Sequence, residues 1–165
     1  MANTDEKRSI LSLTVDNKPG VLSRIIGLFS GRSFNIESLC VAATTDPQVS
    51  RITLVTSGDT RVLEQIKKQL NKLINVIKVM DFTDQPFVQG EVALVKVRAK
   101  AEYRAEILRT VDIFRARVVD ASPEYYIVEI TGDNGKIDAF LSLIKPMGIK
   151  ETARTGTIAL GREKK

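Results

Sequence analysis

The 165-residue chain has no histidine and one cysteine, Cys40, so it can form no internal disulfide and lacks the ligand sets of zinc sites and the Ser-His and Cys-His pairs of nucleophilic catalysis. A hydrophobic fraction of 43% and a charged fraction of 27% are those of a globular protein; no run of about 18 apolar residues offers a membrane span, and the net charge of +5 is spread out, with no basic block to suit nucleic acid. The polar start MANTDEKRS lacks the apolar segment of a signal peptide, so a cytoplasmic protein is expected.

The first half reads as strand, helix, strand, strand, helix, strand. Ser9–Val15 alternates, with Leu11, Leu13 and Val15 on one face. Pro19 suits the first turn of a helix, where its missing N–H costs nothing. The apolar stripe Val21, Leu22, Ile25, Ile26, Leu28 and Phe29 follows, and Gly31 can close the helix. Ile36–Ala43 is a second strand, and Cys40 within it is read as a buried, inert thiol. Thr45-Asp46-Pro47 is a turn, and Ser50–Thr56 a third strand. Ser57-Gly58-Asp59-Thr60 supplies a turn and a cap for a helix carrying Val62, Leu63, Ile66, Leu70 and Leu73. Val76–Phe82 is the fourth strand.

Thr83-Asp84-Gln85-Pro86 reads as a linker, and the same order then recurs. Val92–Ala99 is strand-like, and a helix from near Glu102 carries Ile107, Leu108, Val111 and Phe114. Arg117–Ala121 and Tyr125–Thr131 flank a Ser122-Pro123 turn. Tyr125 and Tyr126 alternate, one ring expected buried and one exposed. Asn134 can cap a helix that Pro146 ends, and strands at Ile149–Ala153 and Thr157–Leu160 complete the chain. The fold expected is α+β: two ferredoxin-like βαββαβ domains, each an antiparallel sheet with two helices on one face, at residues 9–83 and 88–162.

The stretch DNKPGVLSRIIGLFSGRSFNIESL carries the chemical interest. The N–H groups of Gly20, Val21 and Leu22 fall in the first helical turn, lack intrahelical partners and carry the positive end of the helix dipole. A small carboxylate fits there, with Asn17 offering an amide and Gly20 no obstructing side chain. Asn35 opens the neighbouring strand, and Val21, Leu22 and Ile36 suit a short aliphatic group. These features describe a site for an apolar α-amino acid, but on the residues alone a plain turn and cap is the favoured reading. No catalytic residue and no metal ligand set is identified. Neither dinucleotide- nor nucleotide-phosphate-binding glycine motifs occur.

The same stretch resembles the signature of ACT domains and is similar to the small regulatory subunits of acetolactate synthase (acetohydroxyacid synthase). The likeness continues through DPQVSRITLVTSGD, VLEQIKKQLNKLINVIKV, VALVKVRA, IFRARVVDASPEYYIVEITGDNGKIDAFL and RTGTIALGR, from about Ile10 to Arg162. Ser33 departs from it, since the family usually has glycine there. The resemblance implies an ACT domain at 9–83 that pairs side by side with a second copy. A branched-chain amino acid such as valine would bind where the two meet, held by Asn17, Gly20, Val21 and Leu22 of one chain and Asn35 and Ile36 of the other. It implies a chain without catalytic chemistry that activates a large catalytic subunit and confers feedback inhibition by valine, with thiamine diphosphate, magnesium and FAD belonging to that subunit. Two other classes compete. One is a ferredoxin-like RNA-binding module, against which stands an aromatic content of 5%. The other is an enzyme using Tyr125, Tyr126, Lys145 or scattered carboxylates.

Overall fold

The computed structural model describes residues 7–31 and 34–163, so Ser33 and the local turn it belongs to lie outside the described residues. The chain divides into two units, residues 1–88 with 157–165 and residues 89–156. In the first, β1 (Lys7–Asp16), β2 (Ile36–Ala43), β3 (Val49–Gly58) and β4 (Val76–Asp81) form an antiparallel sheet of order β2-β3-β1-β4. Helices α1 (Val21–Ser30) and α2 (Thr60–Asn71) cover one face. The order is the consequence of two βαβ-type crossovers that place β1 centrally and leave β2 and β4 as edges.

Alternation decides what each face carries. Leu11, Leu13 and Val15 of β1 and Ile52 and Leu54 of β3 join Val21, Ile25, Leu28, Phe29, Leu63, Ile66 and Leu70 in the main core. The odd-even partners Ile10 and Val55 point the other way, into a second small core with Phe82 and Ala159. Phe82 is buried and stacks on Phe87 at 5.5 Å between ring centroids. Thr83 donates its N–H to Asp81. The segment read as a linker is therefore pinned at both of its ends.

In the second unit β5 (Phe87–Arg98, whose first two residues belong to the first unit), β6 (Arg117–Ala121), β7 (Tyr125–Gly132) and β8 (Ile149–Arg154) repeat the order as β6-β7-β5-β8. Helices α3 (Arg104–Ile113) and α4 (Asn134–Gly148) cover one face around Val95, Val97, Ile107, Val128, Ile130, Phe140 and Ile144. Buried Glu91 is held by Arg154 through Nε–Oε1 at 2.5 Å and Nη2–Oε2 at 3.1 Å, and Arg154 Nη1 reaches Asp138 at 2.8 Å. The α+β class with two βαββαβ units is as the sequence reading has it.

Several local expectations change. Asp133, not Asn134, caps α4, its carboxylate accepting from Lys136 N–H at 2.8 Å. Pro146 does not end that helix. It lies in the last turn, where its missing N–H forfeits one backbone hydrogen bond, and the helix runs on with Ile144 and Met147 both buried. Gly148, at φ 101°, closes it. Gly31 does cap α1, but with right-handed geometry, donating to Gly27 O. Cys40 is half-buried rather than buried, and so are both Tyr125 and Tyr126. The last strand, β9 (Ile158–Gly161), groups with the first unit by compactness. Ala159 is the reason: it packs with Ile10, Val55 and Phe82 on the helix-free face of the first sheet.

Candidate effector site at the mouth of the first helix

β1 ends at Asp16, and Asn17-Lys18-Pro19-Gly20 turns the chain into α1. Gly20 is the residue before the helix and adopts φ 84°, ψ −10°, a left-handed conformation that a β-carbon strains. No side chain caps this end. Val21 N–H donates to Lys18 O at 3.3 Å and Arg24 N–H to Gly20 O at 3.0 Å. The N–H groups of Gly20, Leu22 and Ser23 have no acceptor among the described residues. A Cβ built on Gly20 meets nothing within 4 Å, so the space before the helix is open. Unsatisfied donors, an aligned helix dipole and open space together make a seat for one carboxylate.

The surroundings supply the other half of a zwitterion's requirements. Asn17 is anchored at both ends: its N–H donates to Gln48 O at 2.8 Å and its side-chain Nδ2 to Pro47 O at 2.8 Å. Its Oδ1 remains to accept from a cation such as an ammonium group. Beside it, Asp16 accepts from Asn75 Nδ2 at 3.0 Å, and Asn75 Oδ1 accepts from Arg24 at 2.8 Å. The Asn75 amide, with the Lys18 ammonium at 3.4 Å, holds the Asp16 carboxyl below its usual pKa. Asp16 thus stays charged at neutral pH. Leu22 is half-buried and packs in part against the main core.

Three of the six expected site residues, Val21, Asn35 and Ile36, are not free at the helix mouth within one chain. Val21 is 6% exposed and belongs to the core, and its N–H is already used by Lys18 O, so neither its side chain nor its donor is free for a ligand. Asn35 and Ile36 are not near Asn17 within one chain. Ile36 is level with Thr56, and Thr56 with Ser9, whereas Asn17 lies past the far end of β1. Eight residues along a strand separate Ser9 from Asn17, roughly 26 Å at about 3.3 Å per residue. Exposed Asn35 has its carbonyl engaged by Thr56 Oγ1 at 2.6 Å. The structure also adds groups that the sequence reading missed. The 44–48 turn was legible as a turn but not as the anchor of Asn17. Asn75 and Arg24 carried no sequence signal, because their meeting depends on the return of β4 beside β1.

The first unit is thus a βαββαβ fold whose central strand β1 leads into a glycine-led helix mouth. Residues 11–78 match the family model described as the AHAS small subunit-like ACT domain, and residues 90–163 match that described as the small subunit of acetolactate synthase. The chain is 50% identical over 163 residues, 98% of its own length and 97% of the other, to a probable acetolactate synthase small subunit of Methanothermobacter thermautotrophicus. It is 47% identical over 156 residues, 94% of this chain and 96% of the other, to the acetolactate synthase isozyme 3 small subunit of Escherichia coli. The crystal structure of the acetolactate synthase small subunit from Thermotoga maritima superposes with a TM-score of 0.88 at 39% identity, covering 96% of this chain and 99% of that one. The chain belongs to the acetolactate synthase small-subunit family.

Proposed function

We propose that this chain activates the catalytic large subunit of acetolactate synthase and makes it sensitive to valine, with the helix mouth at Asn17–Leu22 as the effector seat. The observation that carries the reading is the left-handed Gly20 with free N–H groups at Gly20, Leu22 and Ser23, beside Asn17 Oδ1 and ionised Asp16. The first set suits a carboxylate and the second an ammonium, the two ends of an α-amino acid. Leu22 suits a short aliphatic side chain. Selectivity among valine, leucine and isoleucine is modest on this basis, since one methylene is worth about 1–3 kcal/mol in an apolar pocket.

The site is completed by a second copy. β2 is an edge strand, and Val41 on it is 42% exposed. If two β2 edges pair antiparallel about a two-fold axis, the start of one β2 comes level with the end of the other. That end, Ala43, is level with Ser50 and Val15 next to Asn17. Asn35 and Ile36 of the second chain then reach the helix mouth, which their own chain's geometry denies them. A homodimer with two equivalent seats follows. Binding of the amino acid tightens this interface and changes how the subunit engages the large subunit, a coupling that typically amounts to about 1–3 kcal/mol.

Catalytic chemistry, with thiamine diphosphate, magnesium and FAD, is assigned to the large subunit, and the assembly to the cytoplasm. No described helix is long and apolar enough to cross a membrane, and no group of three or more possible metal ligands occurs among the described residues. The test is to titrate the full chain with valine by calorimetry and to assay acetolactate formation with and without the large subunit. Stimulation of the large subunit and its reversal by valine are expected. Turnover of pyruvate by this chain alone, or an absence of heat with any branched-chain amino acid, would overturn the reading.

A further inference from the structure

The second unit repeats the first at individual hydrogen bonds. Asn17 N–H donates to Gln48 O at 2.8 Å, and Ala99 N–H to Glu124 O at 2.9 Å. Thr44 N–H donates to Val49 O, and Ser122 N–H to Tyr125 O, both at 2.8 Å. Asn17 Nδ2 donates to Pro47 O, and Arg104 Nη2 to Pro123 O, again both at 2.8 Å. The bulge between Thr14 and Val15 opposite β4 recurs between Lys96 and Val97 opposite β8. This register sets Arg98 where the first unit has Asp16, and Gly148 where it has Asn75. The place is the same and the charge is reversed.

A cleft of about 340 Å³ opens at this place in the second unit, lined by Arg98, Ala99, Lys100, Pro123, Glu124 and Lys150. Three cations face one carboxylate. Arg98 and Lys150 have no ion-pair partner among the described residues, and the nearest acid to Lys100 is Glu102 at 3.9 Å. A fourth cation, Lys96, lies 4.6 Å from the Tyr125 ring centroid, with Lys150 at 6.0 Å from the same ring. The Tyr125 hydroxyl is hydrogen-bonded to Asp120, which raises the tyrosine pKa. The stem of Arg98 crosses Gly148, where a β-carbon would come within 3.3 Å of Arg98 Cδ. Glycine at this junction lets the guanidinium lie along the cleft.

We propose that this cleft in the second unit binds a small ligand bearing a phosphate group. With Glu124 offsetting one cation, a monocarboxylate would offset only one of the two remaining positive charges. A dianion or higher matches the excess of two positive charges, and the planar guanidinium of Arg98 can hold two phosphate oxygens at once with the lysines as flanking point charges. The inference concerns the second unit and does not rest on the valine site of the first.

The experiment is an amide NMR titration of the full-length chain with pyrophosphate and with inorganic phosphate. Acetate and chloride at matched ionic strength serve as controls. Saturable shifts centred on Ala99, Lys100 and Lys150 are expected, tighter for pyrophosphate than for phosphate. Arg98→Gln and Lys150→Gln should each weaken binding by about fivefold or more, and Glu124→Gln should tighten it, with melting temperatures unchanged. Having two separate exposed positions keeps the test valid if one variant misfolds. Equal shifts with acetate, or wild-type affinity in both cation variants, would overturn the proposal.

Discussion

Replacing Gly20 separates charge from shape at the helix mouth. At φ 84° any β-carbon strains the backbone, by about 1–2 kcal/mol for most residues and less for Asn and Asp, which tolerate the left-handed region best. The Cβ itself meets nothing within 4 Å, so packing adds no further cost. Gly20→Asn and Gly20→Asp should therefore melt within a few degrees of the parent, since about 1 kcal/mol corresponds to roughly 2–4 °C in a chain of this size. The two side chains are nearly isosteric, but only Asp places a negative charge beside the N–H groups proposed to seat the valine carboxylate. Two unit charges about 4 Å apart repel by about 4 kcal/mol at an effective dielectric of about 20. The open, hydrated mouth reduces this to about 2 kcal/mol, or roughly thirtyfold in affinity. Valine should bind the Asp variant about thirtyfold more weakly than the Asn variant by calorimetry at low salt, and the gap should narrow at 0.5 M salt. Equal affinities in the two variants would show that no carboxylate sits at this helix.

Two further outcomes test the frame around the site. Burial opposes ionisation of Asp81, but Lys67 at 2.8 Å and the Thr83 hydroxyl and N–H outweigh it and hold the carboxyl below its usual value. A depressed folded-state pKa stabilises the fold above the unfolded value near 3.8, and that stability is lost as pH falls through the lower folded value. Asp81→Asn should cost about 1–2 kcal/mol at pH 7 and flatten the loss of stability in acid, read from urea melts at pH 7 and pH 3. Truncation after Gly156 removes Ala159 from the cluster with Ile10, Val55 and Phe82. The shortened chain should melt several degrees lower and bind an apolar dye, and an unchanged melt would show that this second core contributes nothing.

Periodicity made the frame readable: Leu11-Leu13-Val15 and Ile52-Leu54 mark the helix-facing side of the sheet by alternation alone, and Leu63-Ile66-Leu70 mark the inner face of α2. The failures came where a neighbour distant in sequence decides. Pro146 looks like a stop until Met147 is seen buried beyond it. Nothing in IALG announces that Ala159 packs with Ile10, Val55 and Phe82, although the strand it lies on falls within the residues matched to the second family model. The left-handed Gly20 and the turn held by Asn17 were legible from the turn chemistry of Asn-Lys-Pro-Gly. Val21 was not, because a residue at a helix start can face the core or the mouth, and its burial depends on the whole sheet. The long separation of Asn35 from Asn17 follows from strand register, which no local pattern reveals.

The most direct measurement of the central claim, a valine seat shared between two chains, uses mixed dimers. Two differently tagged chains, one Gly20→Asp and one Asn35→Ala, are combined and the doubly tagged species is isolated. If each seat joins the helix mouth of one chain to Asn35 of the other, both lesions fall in one seat and the second seat is entirely wild-type. Calorimetry should then find one full-affinity valine site per two chains, although neither parent homodimer has any. A mixed dimer with no full-affinity site would contradict the account, because it would place both residues in the same chain's seat.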